Sequence, residues 1–200
     1  RYFAKVLWGS LLKSRKSAAL PGAKIYPPTL TNSDLANIKI AKEMGVTGVM
    51  QPFVRDHSDL ECVKEALREA GAEDIRLFAK IENMDGVRKL EKLLPAADEI
   101  VIARGDLGNA VHLWDLPGVQ RQIAEKCRAA GKPFMVVTQM LASMERSPVP
   151  TRAEVNDIFH AVMDGAASIM VTGETAVGDY PVEVIRYMVN TVRSAEKEEN

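Results

Sequence analysis

Lys80 and Glu82, in the tripeptide Lys80-Ile81-Glu82, and Asp106, in Ala103-Arg104-Gly105-Asp106 one strand–helix unit later, are the side chains of this chain best suited to chemistry. Each group falls where a β-rich run ends, after residues 76–79 in one case and after 100–103 in the other. Alternation along a strand puts Lys80 and Glu82 on the same face. On neighbouring strands, Glu82 and Asp106 come close enough to share a divalent cation, with Lys80 beside it. A hard cation held by two carboxylates and completed by substrate oxygens is how Mg²⁺ is usually bound for phosphate chemistry. The pattern predicts an enzyme acting on a small phosphorylated acid.

Such residues must be positioned by regular elements, and after Gly45 the sequence supplies them as a repeated unit. A short apolar run, a polar loop and an amphipathic helix recur five times. Strands are expected at 48–53, 76–81, 100–103, 134–138 and 168–171, apolar on both faces as parallel strands covered by helices are. Helices are expected at 59–70, 86–93, 116–130, 152–164 and about 181–196. Thr151 is the expected N-cap of the fourth, and Asp179 that of the last, with Pro181 in its first turn. Strands recurring at intervals of roughly 25 to 35 residues with helices between them mean βα units and a parallel sheet. Lys80, Glu82, Asp106, Thr138, Gly173 and Glu174 all fall at strand carboxyl ends, the edge that carries the active site in a (β/α)₈ barrel. A full barrel takes ~250 residues. The fold expected here is therefore α/β, a partial TIM (β/α)₈-type barrel of about five C-terminal βα units, preceded by some 45 less regular residues.

Composition narrows the function classes. The 200 residues are 46% hydrophobic and 26% charged with a net charge of −1, which is a globular chain with material for one substantial core. The near-neutral balance gives no support for nucleic-acid binding. No apolar run approaches the ~20 residues of a membrane span, and no signal-peptide cleavage site follows the basic opening of residues 1–12. Cys62 and Cys127 show no metal-binding spacing and read as buried structural thiols in a reducing compartment. His57, His112 and His160 match no metal or triad spacing, and the nine methionines read mostly as core filler. Arg104 is expected to brace its loop by ion pairing.

The motifs AKIEN (79–83), ARGDLG (103–108), AGKP (130–133), TQML with SM (138–144), PTRAEV (150–155), DGA (164–166) and GETAVGDYP (173–181) resemble, in order and spacing, those of the pyruvate kinase family. LPG (20–22) and the segment 34–55 fit more loosely, so the resemblance covers nearly the whole chain from about Gly9. It implies phosphoryl transfer from phosphoenolpyruvate to ADP, followed by protonation of the enolate to pyruvate. It further implies that Glu82 and Asp106 ligate Mg²⁺ or Mn²⁺ and that Lys80 neutralises the phosphoryl group in flight. The backbone N–H groups of Gly105 and Asp106 would hold the substrate carboxylate, and Thr138 would add a hydroxyl and join the proton relay. Thr172 stands where the family usually has serine. K⁺ is expected from the family as well, but most of its ligands belong to parts not represented here.

Departures from the family pattern are Pro52 for a serine, Asn109-Ala110 for valine-glutamate, and Val177 for a lysine. The first three barrel strands, the inserted lid domain and the carboxyl-terminal domain of the family are expected to be missing from residues 1–200. Residues 1–22 are expected to be the strand returning from the lid. The chain begins with arginine and is expected to be a piece of a longer, cytoplasmic protein that carries the metal and enolate half of the site and is inactive alone. Open sheet edges suggest a homo-oligomer or a barrel-completing partner chain, with residues 150–155 near a subunit interface in the family. Two other functions are compatible with the sequence. One is a non-catalytic subunit that modulates pyruvate kinase assembly. The other is a metal-dependent enolate or decarboxylase activity on keto acids.

Overall fold

A computed structural model describes residues 27–198, together with Lys5 and Gly9. The expectation for residues 1–22 lies outside the described residues. Five parallel strands form one sheet in sequence order: β1 Gly48–Gln51, β2 Arg76–Ile81, β3 Glu99–Ala103, β4 Phe134–Val137 and β5 Ser168–Met170. Neighbouring pairing with parallel direction and helical crossovers is the (β/α) arrangement expected from the repeats.

Nine helices accompany the sheet among the described residues: α1 Asn32–Ala41, α2 His57–Glu69, α3 Met84–Arg88, α4 Leu90–Leu93, α5 Arg104–Ala110, α6 Leu116–Ala129, α7 Arg152–Met163, α8 Gly173–Ala176 and α9 Pro181–Glu196. Local sequence explains four of the nine starts by a side-chain cap. Thr151 caps α7 in a full capping box with Glu154, and Thr31 does the same for α1 with Asp34. Asp56 caps α2 through Ser58 N–H, and Asn83 caps α3 through Gly86 N–H. Among the described residues no helix is long and apolar enough to cross a membrane.

The strand register sorts side chains into two faces. Leu77, Ala79, Ile81, Ile100, Ile102, Phe134 and Val136 point to the helices and, with Leu60, Leu67, Leu90, Leu93, Ile123, Ile158 and Val184, make the core. The alternate positions lie on the other face, where Met50, Phe78, Met135 and Met170 are only half-buried while Val101, Ala103 and Val137 are buried. At the amino end of that face Glu99 is buried, held by Arg76 Nη2 at 3.1 Å and Ser168 Oγ at 2.6 Å.

Several expectations need correction. Among the described residues before Gly45, where no helix is expected from the sequence, α1 occupies Asn32–Ala41; its exposed Leu35 and Ile40 leave no continuous apolar stripe to signal it. The helix expected at 86–93 is two short helices broken at Lys89. Asp179 does not cap α9: its carboxylate takes Arg146 Nη1 at 2.9 Å, and Tyr180 holds the cap position without a side-chain bond. Cys62 is exposed on α2; only Cys127 is buried, and burial pushes its thiol up to about 12. Both cysteines are free. Of the methionines only Met140 and Met144 are fully buried, because Met50, Met135 and Met170 fall on the sheet face away from the helices.

Candidate active site

Lys80 is the fifth residue of β2 and Glu82 follows its last, so the strand's alternation sends both to the face opposite the helices. Their side chains meet there, with Lys80 Nζ 2.8 Å from Glu82 Oε1. Glu82 is 4% exposed. Its other oxygen, Oε2, accepts the Phe53 N–H at 2.7 Å. Phe53 follows β1 and is left-handed (φ 52°), which a non-glycine residue seldom adopts. The next residue ties this turn to β2: Val54 N–H donates to the Lys80 carbonyl, and Asn83 Nδ2 donates to the Val54 carbonyl at 3.1 Å.

Asp106 enters from β3. Ile81 pairs with Ile102, so Glu82 stands opposite Ala103, and α5 begins directly after it. Asp106 lies in the first turn of α5, exposed, with no hydrogen bond or ion pair among the described residues. The aspartate and the Lys80–Glu82 pair therefore rise from adjacent strands at one edge of the sheet.

Thr138 enters from β4. Its Oγ1 accepts the Gly105 N–H at 2.8 Å and donates to the Val137 carbonyl at 2.5 Å. Thr138 (φ 76°) and Gln139 (φ 54°) are both left-handed, and for a β-branched threonine this is a strained conformation. Arg104 holds it. The guanidinium donates through Nη2 and Nε to the Thr138 carbonyl at 2.8 and 3.3 Å, while Nη1 grips both oxygens of Asp157 on α7 at 2.8 and 2.7 Å. Arg104 thus braces the loop, as its sequence context suggested. Gly105 sits against Thr138, where a Cβ would already touch the hydroxyl at 3.5 Å.

At β5, Glu174 is 2% exposed and accepts Thr172 N–H at 2.7 Å and Leu141 N–H at 3.3 Å, joining the loops after β4 and β5. Glu154 binds Ser143 through both its N–H and its hydroxyl, which fixes the same loop from α7. Burial pushes the Glu154 carboxyl up, but the hydrogen bonds from Ser143 and Thr151 outweigh it and hold the group below its ordinary value. The histidines stand apart: His57 pairs with Glu61, His160 Nδ1 bonds the Asn156 carbonyl, and His112 stacks on Trp114.

Sequence reasoning missed Phe53, Asp157 and the paired left-handed residues of the β4 loop. A backbone amide acting through a left-handed phenylalanine leaves no mark in residue type. Arg104 and Asp157 are 53 positions apart, with nothing local to link them.

The residues suit a hard divalent cation. The available donors are oxygens, Glu82 is oriented by an amide, and Asp106 is unengaged among the described residues. Among the described residues no three His, Cys, Asp or Glu side chains form a closed cage. Two carboxylates would leave the remaining positions of an octahedron to substrate and water.

Parallel βα units with acid, amine and hydroxyl groups gathered at the strand carboxyl ends define a domain of the TIM-barrel class. Within that class, a model of the pyruvate kinase barrel domain matches residues 2–185, and the chain belongs to the pyruvate kinase family. It is 41% identical over 96% of its length to a pyruvate kinase of Bacillus licheniformis, covering 33% of that protein. It is 42% identical to those of Geobacillus stearothermophilus and Dictyostelium discoideum, over 92% and 94% of its length and 31% and 37% of theirs. The chain spans about a third of the length of the curated relatives it matches.

Proposed function

We propose that this chain carries the metal and enolate half of a pyruvate kinase site, serving phosphoryl transfer from phosphoenolpyruvate to ADP to give pyruvate and ATP. The observation that supports it is the convergence of Lys80 with Glu82, Asp106 and Thr138 at the ends of three consecutive strands in a chain of this family. Glu82 and Asp106 are the residues that would hold Mg²⁺ or Mn²⁺, which when bound supplies Lewis-acid polarisation and charge neutralisation at the phosphoryl and enolate oxygens. The protein's own contribution is positioning and electrostatics. Lys80 brings an ammonium to the phosphoryl oxygens. Asp106 would present its backbone N–H at the opening turn of α5, the Gly105 N–H, which donates to Thr138 Oγ1, would have to be shared with or pass to the carboxylate, and the lack of a Cβ at Gly105 lets that carboxylate approach. Thr138 Oγ1, which accepts the Gly105 N–H, is the hydroxyl that would serve that carboxylate and the delivery of a proton to the enolate.

The remaining parts of the reaction belong to the expected longer protein: the nucleotide side, the lid and the K⁺ ligands. The same reading makes the protein cytoplasmic and oligomeric, with phosphoenolpyruvate or pyruvate as the ligand of this half. Purified by itself the chain is expected to show negligible phosphotransfer, and robust turnover without any added subunit would contradict that. The direct test is a Mn²⁺ titration of the chain and of Asp106→Ala. Saturable binding that the substitution abolishes is the expected result; binding indifferent to Asp106 would remove the metal centre from the proposal.

A further inference from the structure

Both oxygens of Glu82 are already engaged, but in unequal ways. Oε2 lies on the Phe53 N–H, a contact built into the backbone. The turn that presents this amide is stitched to the end of β2 by the Val54 N–H on Lys80 O and by Asn83 on Val54 O. Gly86 packs so near that a Cβ there would stand 2.7 Å from the Val54 carbonyl oxygen. Oε1 instead faces Lys80 Nζ at 2.8 Å, an ammonium on a flexible four-carbon stem with no other partner among the described residues.

We infer that Lys80 is an exchangeable occupant of the cation position on Glu82. Oε1 passes from the ammonium to a divalent cation, Oε2 stays on the Phe53 amide, and loading of the cation releases Lys80 toward an anionic ligand. The inference rests on the metal reading above and deepens it. A divalent ion about 2.1 Å from Oε1 and an ammonium held at its present 2.8 Å from the same atom stand at most about 5 Å apart. Beside a carboxylate that is 4% exposed, solvent ions screen that repulsion poorly, so displacement is favoured over sharing. Glu82 then serves the cation with one oxygen, not two. An oxyanion next to the metal gives the freed ammonium a new partner, so cation and oxyanion bind with positive coupling.

The experiment uses the chain alone, with readouts other than turnover. Mg²⁺ is titrated into ¹⁵N-labelled protein while the Lys80 ammonium and Phe53 amide resonances are followed. Mn²⁺ affinity is measured by electron paramagnetic resonance for the unaltered chain, Lys80→Met and Asp106→Ala. The expected result is loss of the paired Lys80 ammonium signal on Mg²⁺ saturation, a Phe53 amide that stays hydrogen-bonded, and Mn²⁺ binding about tenfold tighter in Lys80→Met. Asp106-dependent binding with an unmoved ammonium signal, or a Lys80→Met affinity within about twofold of the unaltered chain, overturns the exchange and leaves the metal centre standing. Binding that is absent, or that Asp106→Ala leaves unchanged, overturns the metal reading and the exchange with it.

Discussion

At the residue scale, the support of the site reaches back to Asp59, which anchors the segment that follows the Phe53 turn. Asp59 is 3% exposed and accepts hydrogen bonds from Arg55 N–H, Nε and Nη2 and from Thr29 Oγ1, at 2.5 to 3.1 Å. Burial pushes its carboxyl up, but the bonds from Arg55 and Thr29, with the guanidinium charge, outweigh it and bring the value down to about 2. A carboxyl depressed in the folded state adds stability above its unfolded value of ~3.9 and loses it as pH falls toward the folded one. The contribution is roughly 2 kcal/mol and disappears between about pH 4 and pH 2. Urea unfolding at about pH 5 and about pH 2.5 checks this. The unaltered chain should lose most of its advantage over Asp59→Asn at the lower pH, and a gap that persists undiminished would show that Asp59 acts through shape and not charge.

At the element scale, glycine and left-handed residues do what helix propensity alone would not suggest. Gly86 lies inside α3, where alanine would ordinarily be favoured by up to about 1 kcal/mol. The Val54 carbonyl occupies the space a methyl would need, so Gly86→Ala must move backbone on the turn that presents the Phe53 amide. The substitution is expected to cost about 1–3 kcal/mol, read as a lower urea midpoint, and to shift the Phe53 amide resonance; a stabilised variant would refute the packing described here. The five strands were legible in the sequence because runs such as 100–103 and 134–137 are apolar on both faces and bounded by loops. The α7 start was legible for the same kind of reason, since Thr151 and Glu154 form a box by local spacing. Asp179 misled because its partner, Arg146, is 33 positions away and outcompetes the helix end for its carboxylate. The Lys80–Glu82 pair follows from strand alternation, whereas the brace of Thr138 by Arg104 and Asp157 depends on tertiary proximity that no local pattern encodes.

At the scale of the whole molecule, the sheet is covered unevenly, as a five-unit partial barrel with an exposed inner face would be. Helices α2, α4, α6, α7 and α9 bury one side, while on the other Met50, Phe78, Met135 and Met170 remain half-buried beside a buried Val101 and Val137. Adjacent residues of β4 turn this into a measurement. Val136 is 0% exposed against the helices, and Met135 beside it faces the opposite way. By size alone Met→Ala, which removes more atoms, should cost more than Val→Ala in a uniform core. With Met135 only half-buried the order reverses: Val136→Ala should cost about 2–3 kcal/mol and Met135→Ala less than that, because a half-buried side chain has less apolar area to lose to water. The comparison is made by urea unfolding of the two variants over a range of protein concentrations. If Met135→Ala is the costlier at every concentration, the face is covered by the chain itself. If it becomes costlier only as concentration rises, a second copy supplies the cover, and the half-buried side chains of the inner face are what drives assembly.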